Sequence, residues 1–266
     1  MAQRTARLNS LALSRSMQRL ATGRRINRGA DDPAGLIASE QLNATLAHLD
    51  AETRANERTH SIASTADGAL SEVSGLLTEA KRLQTANAND AGLRAEEKSA
   101  NQMQIDSILS TVDRISNTTS FNGQKLLTGT ATLSSSGKSM TINGTSTASI
   151  GDVTIDGTAY TLSDVKTGGR LEGNAQGAAQ SIDAAIKQVS TLRGKIGAFD
   201  KYTVQSRIRT IASSREQITS AVSMIRDTDY AAETSANMRY QLLQAVSMRT
   251  LKMASQRRRS TFSILA

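Results

Sequence analysis

Residues 204–225, VQSRIRTIASSREQITSAVSMI, decide the predicted fold because they form a heptad repeat. Apolar residues follow one another at alternating spacings of four and three, and Arg215 occupies the one remaining heptad position. This pattern gives a helix an apolar face that a second helix must cover. The apolar residues of the repeat are Val204, Ile208, Ile211, Ile218, Val222 and Ile225.

Two long helices are predicted, and each carries an apolar stripe. The first extends the heptad helix upstream, with one change of phase near Gly197, so that it spans residues 180–226. The second begins with Asp32 as N-cap and Pro33 in the first turn, and no residue breaks it before about Asn87. Helices of about 70 and 80 Å match in length, which favours antiparallel pairing in a coiled-coil-like rod. The further seam residues are Leu42, Leu46, Leu49, Leu70, Val73, Leu77, Ile182, Ile186 and Val189.

A shorter helix and a β region are predicted between these two helices. The helix covers about residues 95–116, and a segment rich in Gly, Ser and Thr follows at 126–177. In that segment, apolar residues alternate with polar ones before Asn143-Gly144 and before Asp156-Gly157. Both dipeptides accept the positive φ angles of tight turns, so we expect two small β-hairpins. We expect them at one end of the rod.

Short amphipathic helices are predicted at both termini. Gly23 ends the first of them, and Asp229 and Glu233 suit the first turn of the last. Neither helix can bury its stripe alone, so we expect neighbouring copies of the chain to cover both stripes. The stripe residues are Leu8, Leu11, Leu13, Met17, Leu20, Met238, Leu242, Val246, Leu251, Phe262, Ile264 and Leu265.

The sequence therefore predicts a mainly α fold: a long antiparallel helical rod, a small β-hairpin region and a coiled-coil segment of terminal helices. The predicted segments are the N-terminal helix, the N-terminal part of the rod, the hairpin region, the C-terminal rod helix and the C-terminal helix. They span 1–30, 31–125, 126–177, 178–226 and 227–266, respectively.

Composition excludes several classes of protein. The 266 residues include no Cys and no Trp, three Phe and four Tyr, so thin helical layers are favoured over a thick core. Disulfides and thiolate chemistry are excluded. No apolar run is long enough to span a membrane, and residues 1–16 do not form an ordinary secretory signal.

The net charge of +8 is concentrated at the two ends. Residues 1–30 contain seven Arg and no acidic residue, and residues 234–266 contain six Lys or Arg and no acidic residue. Arg257, Arg258 and Arg259 form the densest basic patch, which is either a solvated helix end or a surface that faces an anion.

Residues that could carry catalysis are almost absent. The two histidines, His48 and His60, are twelve residues apart on a predicted helix, and Asp31 and Asp32 are better explained by helix capping. We find no phosphate-binding glycine loop, no nucleophile elbow and no metal-ligand spacing. The sequence predicts no enzyme activity and no cofactor.

Several motifs resemble those of bacterial flagellins. Residues 19–46, RLATGRRINRGADDPAGLIASEQLNATL, resemble the N-terminal signature of that family, as do ADGALSEVSGLL (66–77) and SFNGQKLL (120–127). IRDTDYAAETSANMRYQLLQAV (225–246) and the final FSILA resemble its C-terminal signature. The resemblance covers about residues 19–127 and 180–266, with a short variable region between them.

The resemblance implies a secreted structural subunit that polymerises with itself into the extracellular flagellar filament. Export would use the flagellar type III apparatus without a cleaved signal peptide, and a dedicated chaperone would hold the C-terminal segment. Hook-associated and cap proteins would be further partners. The segment before Arg19 is shorter than in the family, and Arg257–Arg259 replace neutral residues, which suggests a minor or specialised flagellin.

Two other interpretations remain open from the sequence. A hook–filament junction protein shares the helical plan but should match the motifs less fully. A coiled-coil signalling or nucleic-acid-binding protein would explain the heptads and the basic ends. No aromatic residues lie among the basic ones to stack on bases, so we expect no nucleic-acid partner.

Overall fold

A computed structural model of the chain describes the backbone of residues 2–88, 92 and 94–265 and the side chains of residues 3–88, 92 and 94–256. The α-helices are α1 (Ala2–Thr22), α2 (Pro33–Asn87), α3 (Ala95–Thr118), α4 (Ala175–Phe199), α5 (Gln205–Arg226) and α6 (Tyr230–Leu265). The strands are β1 (Ser120–Phe121), β2 (Gln124–Lys125), β3 (Thr132–Ser135), β4 (Lys138–Thr141), β5 (Val153–Ile155) and β6 (Thr158–Tyr160). The predicted class, mainly helical with small antiparallel strand pairs, is confirmed.

Local sequence signals account for the helix ends. Helix α1 stops before Gly23, whose φ of 68° suits glycine better than other residues. Helix α2 begins at Pro33, and the Asp32 carboxylate accepts a hydrogen bond of 2.9 Å from the Gly35 amide. Helix α6 is capped in the same way by Asp229, which accepts from the amides of residues 231 and 232.

The long C-terminal helix contains one widened turn. Between α4 and α5, residues Asp200–Val204 form a π-helical turn, so that residues 175–226 are helical throughout. A π turn adds one residue to the helical repeat and therefore shifts the phase of the apolar stripe. The shift lies just after Gly197, where the sequence pattern changes phase.

The chain divides into two compact units, which we describe separately: residues 1–50 with 213–266, and residues 51–212. In the unit 51–212, α2 forms a series of side-chain pairs with the C-terminal helices, and the partner's number falls as the α2 number rises. The pairs are Glu52 with Arg207, His60 with Asp200, Asp67 with Arg193 and Lys81 with Asp183. In the other unit, Glu40 pairs with Arg226 and Asp50 with Arg215. The helices are antiparallel within each unit. The five-segment division of the sequence stays a prediction.

The apolar core lies in the unit 51–212. The core is formed by helices α2, α3 and α4 and by residues 119–174 between α3 and α4, which we call the strand segment. The apolar seam of the helices is therefore covered from several sides. The seam residues Leu70, Val73, Leu77, Ile182, Val189, Val204 and Ile211 are buried there, and Ile186 and Ile208 are partly buried. In the other unit, Leu42, Leu46, Leu49, Ile218, Val222 and Ile225 are all partly buried.

Three strand pairs are present among the described residues, and one predicted turn is wrong. The turns are Asn122-Gly123, Ser136-Gly137 and Asp156-Gly157, each with positive φ at both residues. The Asp156-Gly157 hairpin agrees with the sequence pattern. Asn143-Gly144 forms no hairpin turn, because β4 pairs backwards with β3 through Ser136-Gly137. The Gly144 backbone instead lies close to that of Gly129, since a Cβ on Gly129 would lie 3.2 Å from the amide nitrogen of Gly144.

The strand segment lies along the helices of the unit 51–212. Ser135 donates to Asn56 near the start of the α2 portion in this unit, and Ser181 of α4 donates to the carbonyl of Gly151. Asp113 of α3 accepts from both the amide and the hydroxyl of Thr147. The buried side chains of Leu126, Leu127, Leu133, Ile142 and Ile150 explain this, because they need the helices to cover them.

Candidate assembly surface

Helices α1 and α6 pack against each other within the unit formed by residues 1–50 and 213–266. Asn9 bonds to Ser247, Ser16 to Asn237, and Arg19 lies 3.6 Å from Glu233. The residue numbers rise on α1 as they fall on α6, so the two terminal helices are antiparallel.

The seam between α1 and α6 includes hydrogen-bonded polar side chains. Ser16 and Asn237 are only 2% and 6% exposed. The Asn237 amide donates to the Ser16 hydroxyl at 3.3 Å, and its carbonyl oxygen accepts from Gln241 at 2.7 Å. The Asn9 amide donates to the Ser247 hydroxyl at 2.9 Å. Because these groups satisfy one another, they can face inward at little cost.

Six of the nine described apolar side chains predicted for assembly face outward. Met238, Leu242 and Val246 follow one another every four residues on one face of α6 and are 61%, 69% and 60% exposed. On α1, Leu8, Leu11 and Met17 are 58%, 51% and 51% exposed. Leu13, Leu20 and Leu251 are partly buried.

We call the six predicted residues that are more than half exposed the terminal stripe: Leu8, Leu11, Met17, Met238, Leu242 and Val246. Met253, which continues the α6 face, is 58% exposed and escaped the sequence analysis, although its spacing from Leu242 and Val246 could have shown it. The side chains of Phe262, Ile264, Leu265, Arg257, Arg258 and Arg259 lie outside the described residues.

A short backbone joint fixes where α1 ends and α6 begins. The Arg25 amide donates to the Arg226 carbonyl at 2.7 Å, and the Thr228 amide donates to the Gly23 carbonyl at 2.9 Å. Asp31 closes the adjoining loop by accepting from the Asn27 and Arg28 amides. The hydrogen bond from the Asn27 amide lowers the pKa of the Asp31 carboxyl, so the carboxylate that closes this loop is stabilised in its charged form.

The described residues offer little for catalysis. They contain no group of three or more His, Asp or Glu side chains that could hold a metal ion. His60 bonds to Asp200 at 2.7 Å, His48 is exposed, and Arg215 forms a surface ion pair with Asp50. In the described part of the chain, no helix is both long and apolar enough to cross a membrane.

Comparison with known proteins identifies the family. The model of the bacterial flagellin N-terminal helical region matches residues 1–132, and that of the C-terminal helical region matches residues 179–265. A flagellin of Halalkalibacterium halodurans is 30% identical over 99% of this chain and 96% of its own length. The chain belongs to the bacterial flagellin family. This flagellin is a structural subunit of the filament and not an enzyme, because the family is a structural one.

Other relatives support the same assignment. The flagellin of Bacillus subtilis is 29% identical over 97% of this flagellin and 94% of the relative. A flagellar filament 30.7 kDa core protein of Treponema maltophilum is 27% identical over 100% of this flagellin and 96% of the relative. The junction-protein and nucleic-acid interpretations are therefore not favoured.

A solved structure supports the fold alone. A protein described as a flagellar hook-associated protein of Vibrio parahaemolyticus aligns with a TM-score of 0.60 at 13% identity, over 73% of this flagellin and 99% of the other chain.

Proposed function

We propose that this flagellin polymerises by burying the terminal stripe of each copy against neighbouring copies. The observation that carries the proposal is the outward direction of the stripe: α1 and α6 are already packed together, yet Leu242 remains 69% exposed. Exposed apolar stripes of this kind are costly in water and mark contact surfaces. A contact between different patches on two copies does not close on itself, and repeated addition then gives a helical filament.

The energy available from the terminal stripe suits cooperative assembly. Burying a Leu or Met side chain fully contributes roughly 1.5–3 kcal/mol. The six residues are between 51% and 69% exposed, so each retains somewhat more than half of its area for a neighbour. The sum is roughly 5–10 kcal/mol, which is comparable to the cost of immobilising one subunit, roughly 4–15 kcal/mol. A single contact is thus marginal, and a lattice in which each copy meets several neighbours is stable.

The polar seam gives the two halves of the stripe a fixed register. The hydrogen bond between Ser16 and Asn237 is satisfied only when α1 and α6 are aligned as observed. A buried polar pair in a helical interface commonly selects one register in this way. The seam therefore sets which outward residues of α1 and α6 are presented together.

Truncation tests the proposal. Deleting residues 1–22 or 240–266 should abolish sedimentable filaments, because the first deletion removes three of the six residues of the terminal stripe and the second removes Leu242 and Val246. The unit 51–212 has its own apolar core, so its thermal unfolding transition, followed by circular dichroism, should remain. Filaments of normal diameter from either truncated protein, seen by electron microscopy after seeding, would contradict the proposal.

We also propose that the subunit leaves the cell through the flagellar type III export apparatus and joins the extracellular filament beyond the hook. A dedicated chaperone would cover the C-terminal segment, since Met238, Leu242 and Val246 are exposed in the lone subunit. Cap and hook-associated proteins would contact the terminal helices at the filament ends. Mass spectrometry of secreted subunits tests the route, because export without a cleaved signal leaves the N-terminal peptide intact.

A further inference from the structure

The helix pair α1–α6 carries a surface whose charges have no counterpart within the pair. Arg4, Arg7 and Arg15 on α1 and Arg239, Arg249 and Lys252 on α6 are all exposed. None of them forms an ion pair with an acidic side chain among the described residues; in this pair, the acid Glu233 is engaged by Arg19. Residues 1–30 and 234–266 contain no acidic residue, so copies that meet through these segments would bring cation against cation.

The cations alternate with exposed apolar side chains along the same helices. Arg249 lies in the outward stripe of α6, three residues after Val246 and four before Met253, and Arg239 follows Met238. On α1, Arg7 precedes Leu8, which is 58% exposed. Helices that combine exposed Leu and Met with Arg and Lys bind at the interface of anionic membranes, because the apolar groups enter the acyl boundary and the cations meet the headgroups.

A groove in this pair has the matching chemistry. It lies between the start of α1 and α6, has a volume of about 600 Å³, and is lined by Gln3, Met248, Arg249, Leu251, Lys252 and Ser255. Apolar side chains from Met248 and Leu251 form its wall beside two cations. The acyl chain of an anionic lipid would contact the apolar side chains, and its headgroup would contact the two cations. A free anion would contact the cations alone.

We propose that the unassembled subunit binds the surface of an anionic lipid membrane through its α1–α6 pair. The pair lies in the plane of the interface, with the outward faces of α1 and α6 toward the lipid. The binding does not require polymerisation and competes with it, because it uses the apolar stripe before other copies cover that stripe.

Flotation of the full-length protein with lipid vesicles in a density gradient tests this proposal, because filaments do not float. Vesicles with about 30 mol% phosphatidylglycerol should bind at least roughly tenfold more protein than pure phosphatidylcholine vesicles. Raising the salt from about 0.1 M to about 0.5 M should release most of it, because exposed charges are then screened. Equal binding to both kinds of vesicle would overturn the proposal.

Variants separate the contribution of charge from that of apolar contact. The triple variant Arg4→Gln, Arg7→Gln, Arg15→Gln should lose roughly tenfold or more in binding, since each cation near an anionic surface contributes roughly fivefold. The corresponding Arg→Lys triple variant keeps the charge and should bind as the original protein does. The double variant Lys187→Gln, Lys195→Gln removes exposed cations of the unit 51–212 and should have no effect.

The apolar contact is tested by the double variant Leu242→Ser, Val246→Ser. It keeps every charge and should nevertheless reduce vesicle binding at low salt. Unchanged vesicle binding, together with complete displacement of the protein by soluble polyphosphate, would show a free-anion surface and overturn the lipid proposal. Circular dichroism of each variant checks that the exposed positions tolerate the change, and sedimentation without vesicles measures assembly separately.

Discussion

The variant Leu242→Ser should raise the critical concentration for filament assembly. Leu242 is 69% exposed in the subunit, so about two thirds of its side chain remains to be buried by a neighbour. Full burial of a leucine contributes roughly 1.5–3 kcal/mol, which leaves roughly 1–2 kcal/mol for this contact. Since 1.4 kcal/mol corresponds to a factor of ten, the critical concentration should rise roughly 5–30-fold.

The assay is sedimentation of seeded filaments over a series of subunit concentrations, with the soluble concentration at equilibrium taken as the critical one. The matched control is Met103→Ser on α3, an apolar residue that is 64% exposed but belongs to the unit 51–212. Its critical concentration should change less than roughly twofold, because most exposed apolar residues are energetically neutral. If Leu242→Ser assembled at the original concentration, or if both variants were impaired equally, the terminal stripe would not be the surface that drives assembly.

Three further results are expected from the unit 51–212. Leu70→Ala should lower the free energy of unfolding by roughly 2–5 kcal/mol in denaturant titrations, because Leu70 is fully buried in the core; a loss below 1 kcal/mol would contradict the assigned packing. Gly75→Ala should stabilise α2 by up to about 1 kcal/mol, since a Cβ meets nothing there, whereas Gly151→Ala should destabilise, because Gly151 has a φ of 79° and a Cβ would lie 2.8 Å from Ser181. Asp113→Asn should make the free energy of unfolding depend less on pH in the acidic range. Burial raises the pKa of Asp113, but hydrogen bonds from Lys166 and Thr147 outweigh it and leave that pKa lowered. The ionised form therefore contributes stability above the unfolded pKa of about 3.9, which is lost as the pH falls through the folded pKa. Denaturant titrations at neutral pH and near pH ~3 should show that the difference in free energy of unfolding between wild type and variant is smaller in acid. An equal difference at both pH values would refute this role.

The helices could be predicted from the sequence because their signals are local. Asp32-Pro33 combines a side chain that accepts from the first helical amides with a ring that already has a helical φ. Gly23 accepts the left-handed conformation that ends α1. Even the π-helical turn has a trace in the sequence, since the change of stripe phase near Gly197 is the consequence of one extra residue in the helix.

The β3–β4 turn could not be located in the same way, because two dipeptides compete for it. Asn143-Gly144 has the better turn chemistry, but a hairpin there would pair β4 with residues 145–149, which are polar except for Ala148. The observed turn at Ser136-Gly137 pairs Leu133 with Met140 and leaves Leu133 only 1% exposed. Tertiary burial decides between the two registers, and a single sequence does not state which residues the helices will cover.

The sequence likewise does not state which faces of α1 and α6 are covered within the subunit. Periodicity tells which residues share a face of a helix, but not whether that face lies inside the subunit or between subunits. Here hydrogen bonds between polar side chains form part of the seam within the pair, and each neutral one contributes only about 1 kcal/mol net. Leu242 and Val246 would contribute more if they were turned toward α1, yet they point away from it. Their outward position is what the proposed assembly through the terminal stripe requires, because burial between subunits needs apolar side chains that the single subunit leaves exposed.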